Sequence, residues 1–287
     1  DLLYKHPSGV NNILDIPFLP IQFFKSHKVL SIPKPVEKVF TSSGTTGSVV
    51  SKHFITDVSI YKESYLKGVH HFYGNIEDYT ILALLPNYLE REGSSLIYMV
   101  KDMIENSKKP KSGFYLNNLS ELKNTLLELE SNHEKTLLIG VSFALLDLIE
   151  QFQFNLNNTI VMETGGMKGR RKELIREELH ATLNQGFGVN TIHSEYGMTE
   201  LLSQAYSKGN GIFKCPNWMR VLTRDTEDAL TVTNKKSGGL NIIDLANINS
   251  CSFIATQDLG KVYDDNSFEV IGRFDHSDIR GCNLMVL

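Results

Sequence analysis

Apolar runs that alternate with amphipathic helices constrain the fold of this chain more than any other feature. Residues 79–86 are almost continuously apolar and end at a proline, which is typical of a strand buried on both faces of a parallel sheet. Further strands are predicted at 113–116, 136–141, 159–163 and 191–194. Helices are predicted at 58–73, 94–106, 118–129, 143–152 and 171–184. This alternation predicts an α/β fold with a parallel or mixed sheet flanked by helices.

The second part of the chain has a different pattern. From about Gly211, short strand-like runs are separated by Gly, Asn and Asp turns, at 218–223, 229–233, 240–244, 253–255 and 268–271. They predict a smaller, β-rich and barrel-like subdomain near the C-terminus. We therefore expect an α/β core over 1–210, a β-rich subdomain over 211–271 and a hinge-like tail over 272–287. The proline-rich lead-in, 1–39, is expected to be irregular, with short helical pieces around 18–24.

Composition excludes several classes of function. The net charge of −4 gives no general attraction to nucleic acid or to an anionic membrane. The three cysteines are widely spaced, which argues against a disulfide framework and is consistent with a reducing cytoplasm. The longest apolar tract, 136–149, is too short to cross a bilayer, so no membrane insertion is expected. The chain begins at Asp1 and not at Met, so its natural N-terminus can lie upstream.

A loop rich in glycine and hydroxyl side chains is the first candidate for chemistry. Its centre is Ser43-Gly44-Thr45-Thr46-Gly47. Glycines let the backbone come close to a phosphate, successive N–H groups form an anion nest, and the hydroxyls can donate to phosphate oxygens. The loop is not a Walker A motif, because Lys52-His53 stands where that motif needs Gly-Lys. Alone, the run is equally compatible with a surface turn.

Four further motifs follow in order along the chain. They are Gly165-Gly166, Tyr196-Gly197-Met198-Thr199-Glu200, Thr256-Gln257-Asp258-Leu259-Gly260 and Gly272-Arg273-Phe274-Asp275. Together with the loop they resemble the adenylate-forming (acyl-activating) superfamily, which couples ATP to a carboxylate. Residues 163–170, 193–206 and 272–282 are similar, more specifically, to the LuxE-type acyl-protein synthetases. The resemblance extends along nearly the whole chain and implies an adenylate-forming N-terminal domain without the mobile C-terminal domain.

The resemblance implies ATP and Mg²⁺ as cofactors. Residues 43–47 would grip the β- and γ-phosphates, and Gly165 and Gly166 would line the nucleotide site. Thr199 can donate to the α-phosphate, and Glu200 would hold Mg²⁺, a hard cation that prefers carboxylate and phosphate oxygens.

The nucleoside is assigned to the remaining motif residues. Tyr196 offers a flat face to adenine, and Gly197 leaves room for the base. Asp258 can accept hydrogen bonds from both ribose hydroxyls, and Arg273 can donate to the ribose or a phosphate. An aspartate in a turn and an arginine on a surface strand are also common structural features.

The implied reaction is attack of a carboxylate on the α-phosphorus of ATP, which gives an acyl-adenylate and pyrophosphate. The superfamily lysine that grips the substrate carboxylate belongs to the mobile C-terminal domain, which the resemblance implies is missing here. The lysine that usually follows the loop is displaced, since position 50 is Val50. The hypothesis is that Lys52, Lys168 or Arg170 supplies the missing positive charge.

An acyl acceptor is needed for the second half-reaction. LuxE-type enzymes are similar in passing the acyl group to a cysteine near their own C-terminus and then to a reductase. Cys282 follows Arg280-Gly281, and a neighbouring cation favours the nucleophilic thiolate. A buried, small apolar role is the alternative for Cys282. Cys215 and Cys251, and the histidines at 70, 71 and 193, are expected to be structural.

The resemblance thus predicts an ATP-dependent acid–thiol ligase that acts on a fatty acid, with an acyl-CoA-reductase-like protein as the acceptor. Two alternatives stay open. One is an acyl- or aryl-CoA ligase of the phenylacetate–CoA ligase type that lacks its C-terminal domain. The other is a nucleotide- or acyl-binding partner of a reductase that no longer adenylates. Intact Thr199 and Glu200 speak against the second alternative, and the displaced lysine speaks for it.

Overall fold

The computed structural model of the 287-residue chain describes residues 9–43, 49–85, 93–116, 118–165, 174–226, 232–233 and 237–274. The α-helices in these parts are α1 (Phe23–Ser26), α2 (Val58–Tyr73), α3 (Ser95–Ser107), α4 (Leu119–Ser131), α5 (Ser142–Gln151) and α6 (Arg176–Phe187). The strands of the first half are β1 (Leu19–Pro20), β2 (Lys38–Thr41), β3 (Lys52–Ile55), β4 (Thr80–Leu84), β5 (Gly113–Phe114), β6 (Thr136–Gly140) and β7 (Thr159–Glu163). Those of the second half are β8 (His193–Tyr196), β9 (Ala205–Ser207), β10 (Phe213–Lys214), β11 (Met219–Arg224), β12 (Val232–Thr233), β13 (Ser237–Asp244), β14 (Phe253–Val262) and β15 (Phe268–Arg273).

A parallel sheet in the order β5-β4-β6-β7-β8 forms the first half of the fold. Every residue of β4 and β6 is buried, as their continuous apolar sequences predict. The helices that alternate with these strands bury their apolar faces on the sheet. In α4, for example, Leu122, Leu126 and Leu129 are fully buried. The predicted α/β alternation is confirmed.

An antiparallel region continues the same sheet. From β8 the order runs β9-β10-β15-β14-β13-β11-β12, and β1 adds to β14 in parallel, so that thirteen described strands form one sheet. The predicted β-rich region is therefore joined to the parallel strands by backbone hydrogen bonds at β8–β9 and β9–β10. The proposed division at residues 210 and 271 stays a prediction.

Several predicted boundaries are wrong, for physical reasons that the structure shows. β8 begins at His193 and runs on to Tyr196, because its polar residues pair with β9. α6 begins only at Arg176, since Ile175 is extended. The segment 18–24 contains β1 as well as helical residues.

The predicted lengths of the polar strands were also too short. β14 continues from Ala255 to Val262 because the backbone of its polar residues pairs with β13 and β15. β15 extends through Gly272 and Arg273, into the segment expected to be a tail. β9 and β10 are short, and no predicted strand covers them.

A separate hairpin, β2–β3, carries the glycine- and hydroxyl-rich loop. Its last pair is Thr41↔Lys52, and the loop is the connection between the two strands. Ser42 and Ser51 close the base of the loop, because the Ser51 amide donates to Ser42 Oγ at 2.9 Å and the Ser42 amide donates to the Ser51 carbonyl at 3.1 Å. None of the helices in the described part of the chain combines the length and apolar character that crossing a bilayer requires.

Candidate functional site

Tyr196, Asp258 and Arg273 meet in one hydrogen-bonded cluster. The Tyr196 hydroxyl donates to Asp258 Oδ2 at 2.8 Å, and Arg273 Nε lies 3.0 Å from Asp258 Oδ1. Asp258 and Arg273 are directly opposite on β14 and β15, so the backbone pairing fixes their contact. Three motifs that are far apart in the sequence therefore form a single cluster, as the resemblance implies.

The cluster combines a buried acceptor with an accessible cation. The Asp258 side chain is 9% exposed, whereas the Arg273 side chain is 50% exposed. Burial and the neighbouring Asp258 raise the pKa of Tyr196 well above its usual range, so its hydroxyl remains a donor. The Tyr196 ring contacts Phe213 and Phe268, with centroids 5.8 Å and 5.4 Å away. These two rings fix the orientation of the tyrosine.

Gly197 is exposed beside Tyr196. Its other side faces buried side chains, which leave no room for a Cβ atom. A Cβ at this position would come within 2.4 Å of Glu195 Oε1 and 3.3 Å of Gln204 Cγ. The sequence prediction that Gly197 leaves room for a base stays a prediction. The structure adds a second requirement, because the buried Glu195 carboxylate occupies the place of any side chain at 197.

The Thr199–Glu200 segment is bound to the loop hairpin. His53 on β3 contacts the Thr199 carbonyl through Nδ1 at 3.0 Å, and Asn247 Nδ2 donates to the Glu200 carbonyl at 2.7 Å. Ser51, at the base of the loop, hydrogen-bonds the Glu200 carboxylate and favours its ionised form, but burial has the larger effect and raises the pKa of Glu200. The β2–β3 hairpin and the Thr199–Glu200 segment, the two parts of the candidate phosphate site, are therefore held together.

The segment after Glu200 has a further anchor that the sequence analysis missed. Asp244 accepts hydrogen bonds from the amides of Leu202 and Ser203, each at 2.9 Å. Asn247 Oδ1 also accepts from the Leu202 amide at 3.0 Å. The signal in the sequence was two polar side chains, Asp244 and Asn247, at and just after the end of the strand predicted at 240–244.

Of the remaining residues predicted for the site, the structure describes some and leaves others undescribed. Ser43 is exposed, and Gly165 is exposed with φ +41°. Lys52 is exposed and His53 is fully buried, so the two side chains leave opposite faces of β3. The other residues predicted for the site lie outside the described residues: Gly44, Thr45, Thr46, Gly47, Gly166, Lys168, Arg170 and Cys282.

Two buried glutamates, Glu163 and Glu195, lie at the ends of β7 and β8, and the sequence analysis assigned neither a role of its own. Glu195 Oε2 accepts from Thr164 Oγ1 at 2.5 Å. Burial, together with the nearby charge of Glu163, raises the pKa of Glu195 to about 7 despite that hydrogen bond. For Glu163, burial acts in the same direction, but hydrogen bonds from His180 and Ser194 outweigh it and its pKa is lowered.

Cys215, Cys251 and His193 lie in buried or partly buried surroundings. Burial raises the pKa of Cys215 to about 12 and also raises that of Cys251, so both thiols stay protonated at neutral pH. His193 Nδ1 lies 3.2 Å from the Tyr73 hydroxyl. Among the described residues, no three His, Cys, Asp or Glu side chains are grouped as a metal site would require.

The described residues offer a buried carboxylate and a cation in the Asp258–Arg273 pair, and a second carboxylate, Glu200, beside Ser51. Asp258 and Arg273 can bind hydroxyl and phosphate groups, and Glu200 presents one carboxylate beside the loop. One carboxylate fits Mg²⁺, which usually takes one or two protein ligands and completes its shell with phosphate and water oxygens. The site can thus hold a polyphosphate nucleotide.

The mixed sheet flanked by helices is the fold of adenylate-forming enzyme domains, which confirms the predicted fold class. MatB from Rhodopseudomonas palustris, solved with ATP bound, superposes with a TM-score of 0.62 at 14% identity, over 83% of this chain and 48% of MatB. The O-succinylbenzoate coenzyme A synthetase MenE from Bacillus subtilis, in complex with ATP and magnesium ion, gives 0.57 at 17% identity, over 84% and 50%. The luciferase-like enzyme from the mealworm Zophobas morio gives 0.53 at 16% identity, over 86% and 59%.

These identities establish the fold alone. The chain spans about half of the length of MatB and MenE. No family model matches the sequence, and no curated protein matches it.

Proposed function

We propose that the chain is an ATP-dependent acyl-activating enzyme of the LuxE type. It adenylates a fatty acid and then passes the acyl group to a protein thiol. The observation that carries this proposal is the convergence of the motifs. Tyr196, Asp258 and Arg273 form one cluster, and the loop hairpin is bound to Thr199–Glu200. The ATP in the MatB structure and the ATP and magnesium ion in the MenE structure support a nucleotide at this site.

In this proposal the nucleoside binds at the antiparallel half of the sheet. Tyr196 stacks on adenine beside the open surface at Gly197. Asp258 accepts hydrogen bonds from the ribose hydroxyls through the lone pairs that Tyr196 and Arg273 leave unused, since a carboxylate offers about four acceptor sites. The half-exposed guanidinium of Arg273 donates to the ribose or the α-phosphate.

The phosphates bind at the loop hairpin. Residues 43–47 donate to the β- and γ-phosphates, and Thr199 donates to the α-phosphate. Glu200 is the protein ligand for Mg²⁺, which would supply neutralisation of phosphate charge.

The chemical step is an in-line displacement. A carboxylate oxygen of the acid forms a bond to the α-phosphorus, the bond from that phosphorus to the bridging oxygen breaks, and pyrophosphate leaves with the electron pair. The chain contributes alignment and compensation of charge, and no group of the protein becomes covalently bound. Lys52, Lys168 or Arg170 would provide the positive charge beside the substrate carboxylate.

The second step transfers the acyl group to the Cys282 thiolate. Its sulfur attacks the acyl carbon, a thioester forms and AMP leaves. An acyl-CoA-reductase-like protein is the proposed acceptor of that thioester. A coenzyme A ligase is the second candidate, favoured by the likeness to MenE, a coenzyme A synthetase.

Pyrophosphate exchange into ATP tests the adenylation step. The protein is incubated with labelled pyrophosphate, Mg·ATP and a panel of carboxylic acids of different chain lengths. We expect exchange that depends on a fatty acid and that, in Asp258→Ala, needs a much higher ATP concentration. Nucleotide binding without exchange for any acid would favour the non-adenylating binding module and contradict the proposal.

Mass spectrometry of the intact protein tests the acceptor. After incubation with ATP and the preferred acid, the protein should gain the mass of one acyl group, and Cys282→Ser should not. Acylation that persists in Cys282→Ser would contradict the assignment. Formation of free acyl-CoA when coenzyme A is added, with no acyl-protein, would favour the second candidate.

A further inference from the structure

His53 joins three segments that are far apart in the sequence. It lies in β3, two residues after Ser51 at the base of the loop, and its side chain is fully buried. Nδ1 is 3.0 Å from the Thr199 carbonyl, and Nε2 is 2.8 Å from Ser250 Oγ. The partners are 146 and 197 residues away along the chain. The imidazole thus links the loop hairpin to the Thr199–Glu200 segment.

The partners determine which nitrogen of the imidazole carries the proton. A carbonyl oxygen only accepts, so Nδ1 carries the hydrogen and donates to Thr199. Nε2 is then the acceptor, and the Ser250 hydroxyl donates to it. Burial lowers the pKa of His53 to about 4, although the hydrogen bond to Thr199 acts in the opposite direction. The ring is therefore neutral at neutral pH, and this single tautomer satisfies both contacts.

Neighbouring contacts show that the linkage is continuous. Asn247 donates to the carbonyl of Glu200, the residue after Thr199, at 2.7 Å. Ser250 Oγ also lies 3.3 Å from the Asn247 carbonyl, but in this tautomer its one hydrogen is donated to His53 Nε2. The edge of the Phe24 ring packs on the imidazole, with centroids 5.2 Å apart and planes at 83°. Two successive carbonyls of the Thr199–Glu200 segment are thus each held by a buried side chain.

We propose that His53 is a positioning residue, which fixes the Thr199–Glu200 backbone against the loop hairpin so that the phosphate and Mg²⁺ ligands are in register. The inference rests on the proposed function, because it takes Thr199 and Glu200 as ligands of Mg·ATP. A histidine that merely fills the core would stabilise the fold without any preference for which of its nitrogens keeps a partner.

Two substitutions separate the nitrogens of the ring. The amide nitrogen of Asn is as many bonds from Cβ as Nδ1 is, so His53→Asn can still donate to Thr199. The amide of Gln is placed like Nε2, so His53→Gln can reach Ser250 but loses the Thr199 contact. Ser250→Ala removes the other partner. Asp102 on α3 is buried and pairs with the partly exposed Lys62 of α2, so Asp102→Asn serves as a control for loss of stability away from the site.

The readouts are kcat for pyrophosphate exchange at saturating ATP, the Mg²⁺ concentration that gives half-maximal exchange, and Tm. We expect His53→Gln to lower kcat roughly 30- to 100-fold, because a misplacement of about 1 Å near a reacting centre can cost on the order of 10²-fold. It should also require more Mg²⁺. His53→Asn and Ser250→Ala should stay within about fivefold of the unmodified protein. Asp102→Asn should lower Tm only.

The outcomes distinguish this inference from the proposed function. If exchange is normal and His53→Gln matches His53→Asn in kcat and in Mg²⁺ dependence, positioning by His53 is wrong and adenylation stands. If exchange is absent in the unmodified protein but calorimetry shows Mg·ATP binding that His53→Gln weakens more than His53→Asn, adenylation is wrong and the positioning role stands. If Mg·ATP neither binds nor exchanges, both proposals are overturned.

Discussion

The two sides of the candidate site are built on opposite physical principles. The first, which we name the loop wall, consists of the β2–β3 hairpin, Thr199–Glu200 and the side chains of His53 and Asn247. The second, the nucleoside wall, consists of Tyr196, Asp258 and Arg273. His53 is fully buried and neutral, whereas the nucleoside wall contains an ion pair whose arginine side chain is 50% exposed.

The difference shows how a site can be both rigid and open. Neutral hydrogen bonds in a buried wall hold backbone in place without the cost of removing a charge from water. Charged groups at a partly solvated wall keep much of their hydration and remain able to bind a polar ligand. We infer that the loop wall determines alignment and the nucleoside wall determines affinity. The predictions below test that division.

Asp258→Ala should produce the largest effect on affinity. It removes the proposed acceptor for the ribose and the partner of both Tyr196 and Arg273. Hydrogen bonds to a charged group contribute about 1.5–3 kcal/mol each, so the Kd for Mg·ATP should rise on the order of 10²-fold. Calorimetric titration measures it.

The matched variant for this prediction is Asp258→Asn. It keeps one carbonyl acceptor without the charge, so its Kd for Mg·ATP should lie between those of Asp258→Ala and the unmodified protein. An Mg·ATP Kd within threefold of the unmodified protein in Asp258→Ala would show that the nucleoside wall does not determine affinity.

Glu195→Gln should show how much burial of an ionisable carboxyl beside the site reduces the free energy of unfolding at high pH. The pKa of Glu195 is raised to about 7 in the folded protein, from 4.5. The folded state keeps this proton between those two values while the unfolded state releases it, so the stability contribution is lost as pH rises through 7. At about 1.4 kcal/mol per pKa unit, Glu195→Gln should gain roughly 3 kcal/mol relative to the unmodified protein between pH 4 and pH 8.

Glu163→Gln is the control, with the opposite sign. The lowered pKa of Glu163 means that its ionised form stabilises the fold above the ordinary glutamate range, and that this stability is lost as pH falls. Urea unfolding at pH 4, 6 and 8 measures both variants. The same pH slope for Glu195→Gln as for the unmodified protein would contradict a protonated Glu195.

Gly197→Ala should disturb the junction of the two walls. Its Cβ would meet Glu195 Oε1 at 2.4 Å, so the carboxylate or the strand end must move. Overpacking of this kind costs about 1–3 kcal/mol, and we expect about 2 kcal/mol of unfolding free energy together with weaker binding of Mg·ATP. Gly113→Ala, where a Cβ would meet nothing within 4 Å, should leave both unchanged. Equal behaviour of the two variants would contradict the contact.

The sequence predicted the fold class, whereas the nucleotide-binding roles of Tyr196, Asp258 and Arg273 stay predictions. Continuous apolar strands predict a parallel sheet, and the resemblance assigns Tyr196, Asp258 and Arg273 to one nucleotide site; their direct contact is a finding of the structure. His53 could not be found in this way, because its partners are 146 and 197 residues away and its role depends on burial. The carboxylates of Glu163 and Glu195 were missed for the same reason. A pKa depends on neighbours that only the folded chain brings together.

Arg273 should give the smallest effect, and it tests the division most finely. The Arg273 side chain is 50% exposed, and the buried Asp258 would keep the Tyr196 hydroxyl as a donor. Ion pairs with an exposed partner contribute about 0–1 kcal/mol to stability. Arg273→Ala should therefore change the unfolding free energy by less than about 1 kcal/mol. The Kd for Mg·ATP should rise about 3- to 10-fold at low salt, and the difference should shrink at high salt because screening weakens exposed charge pairs.

Arg273→Lys separates charge from geometry. It keeps the cation but loses the guanidinium nitrogen that pairs with Asp258, so its Kd should lie between those of Arg273→Ala and the unmodified protein. Calorimetric titrations at two salt concentrations, with urea unfolding of the same samples, measure both properties. If Arg273→Ala lowered the unfolding free energy by well over 1 kcal/mol, the nucleoside wall would also be needed for stability, and the division between the two walls would be wrong. A change in affinity with unchanged stability is the result that the half-exposed guanidinium predicts.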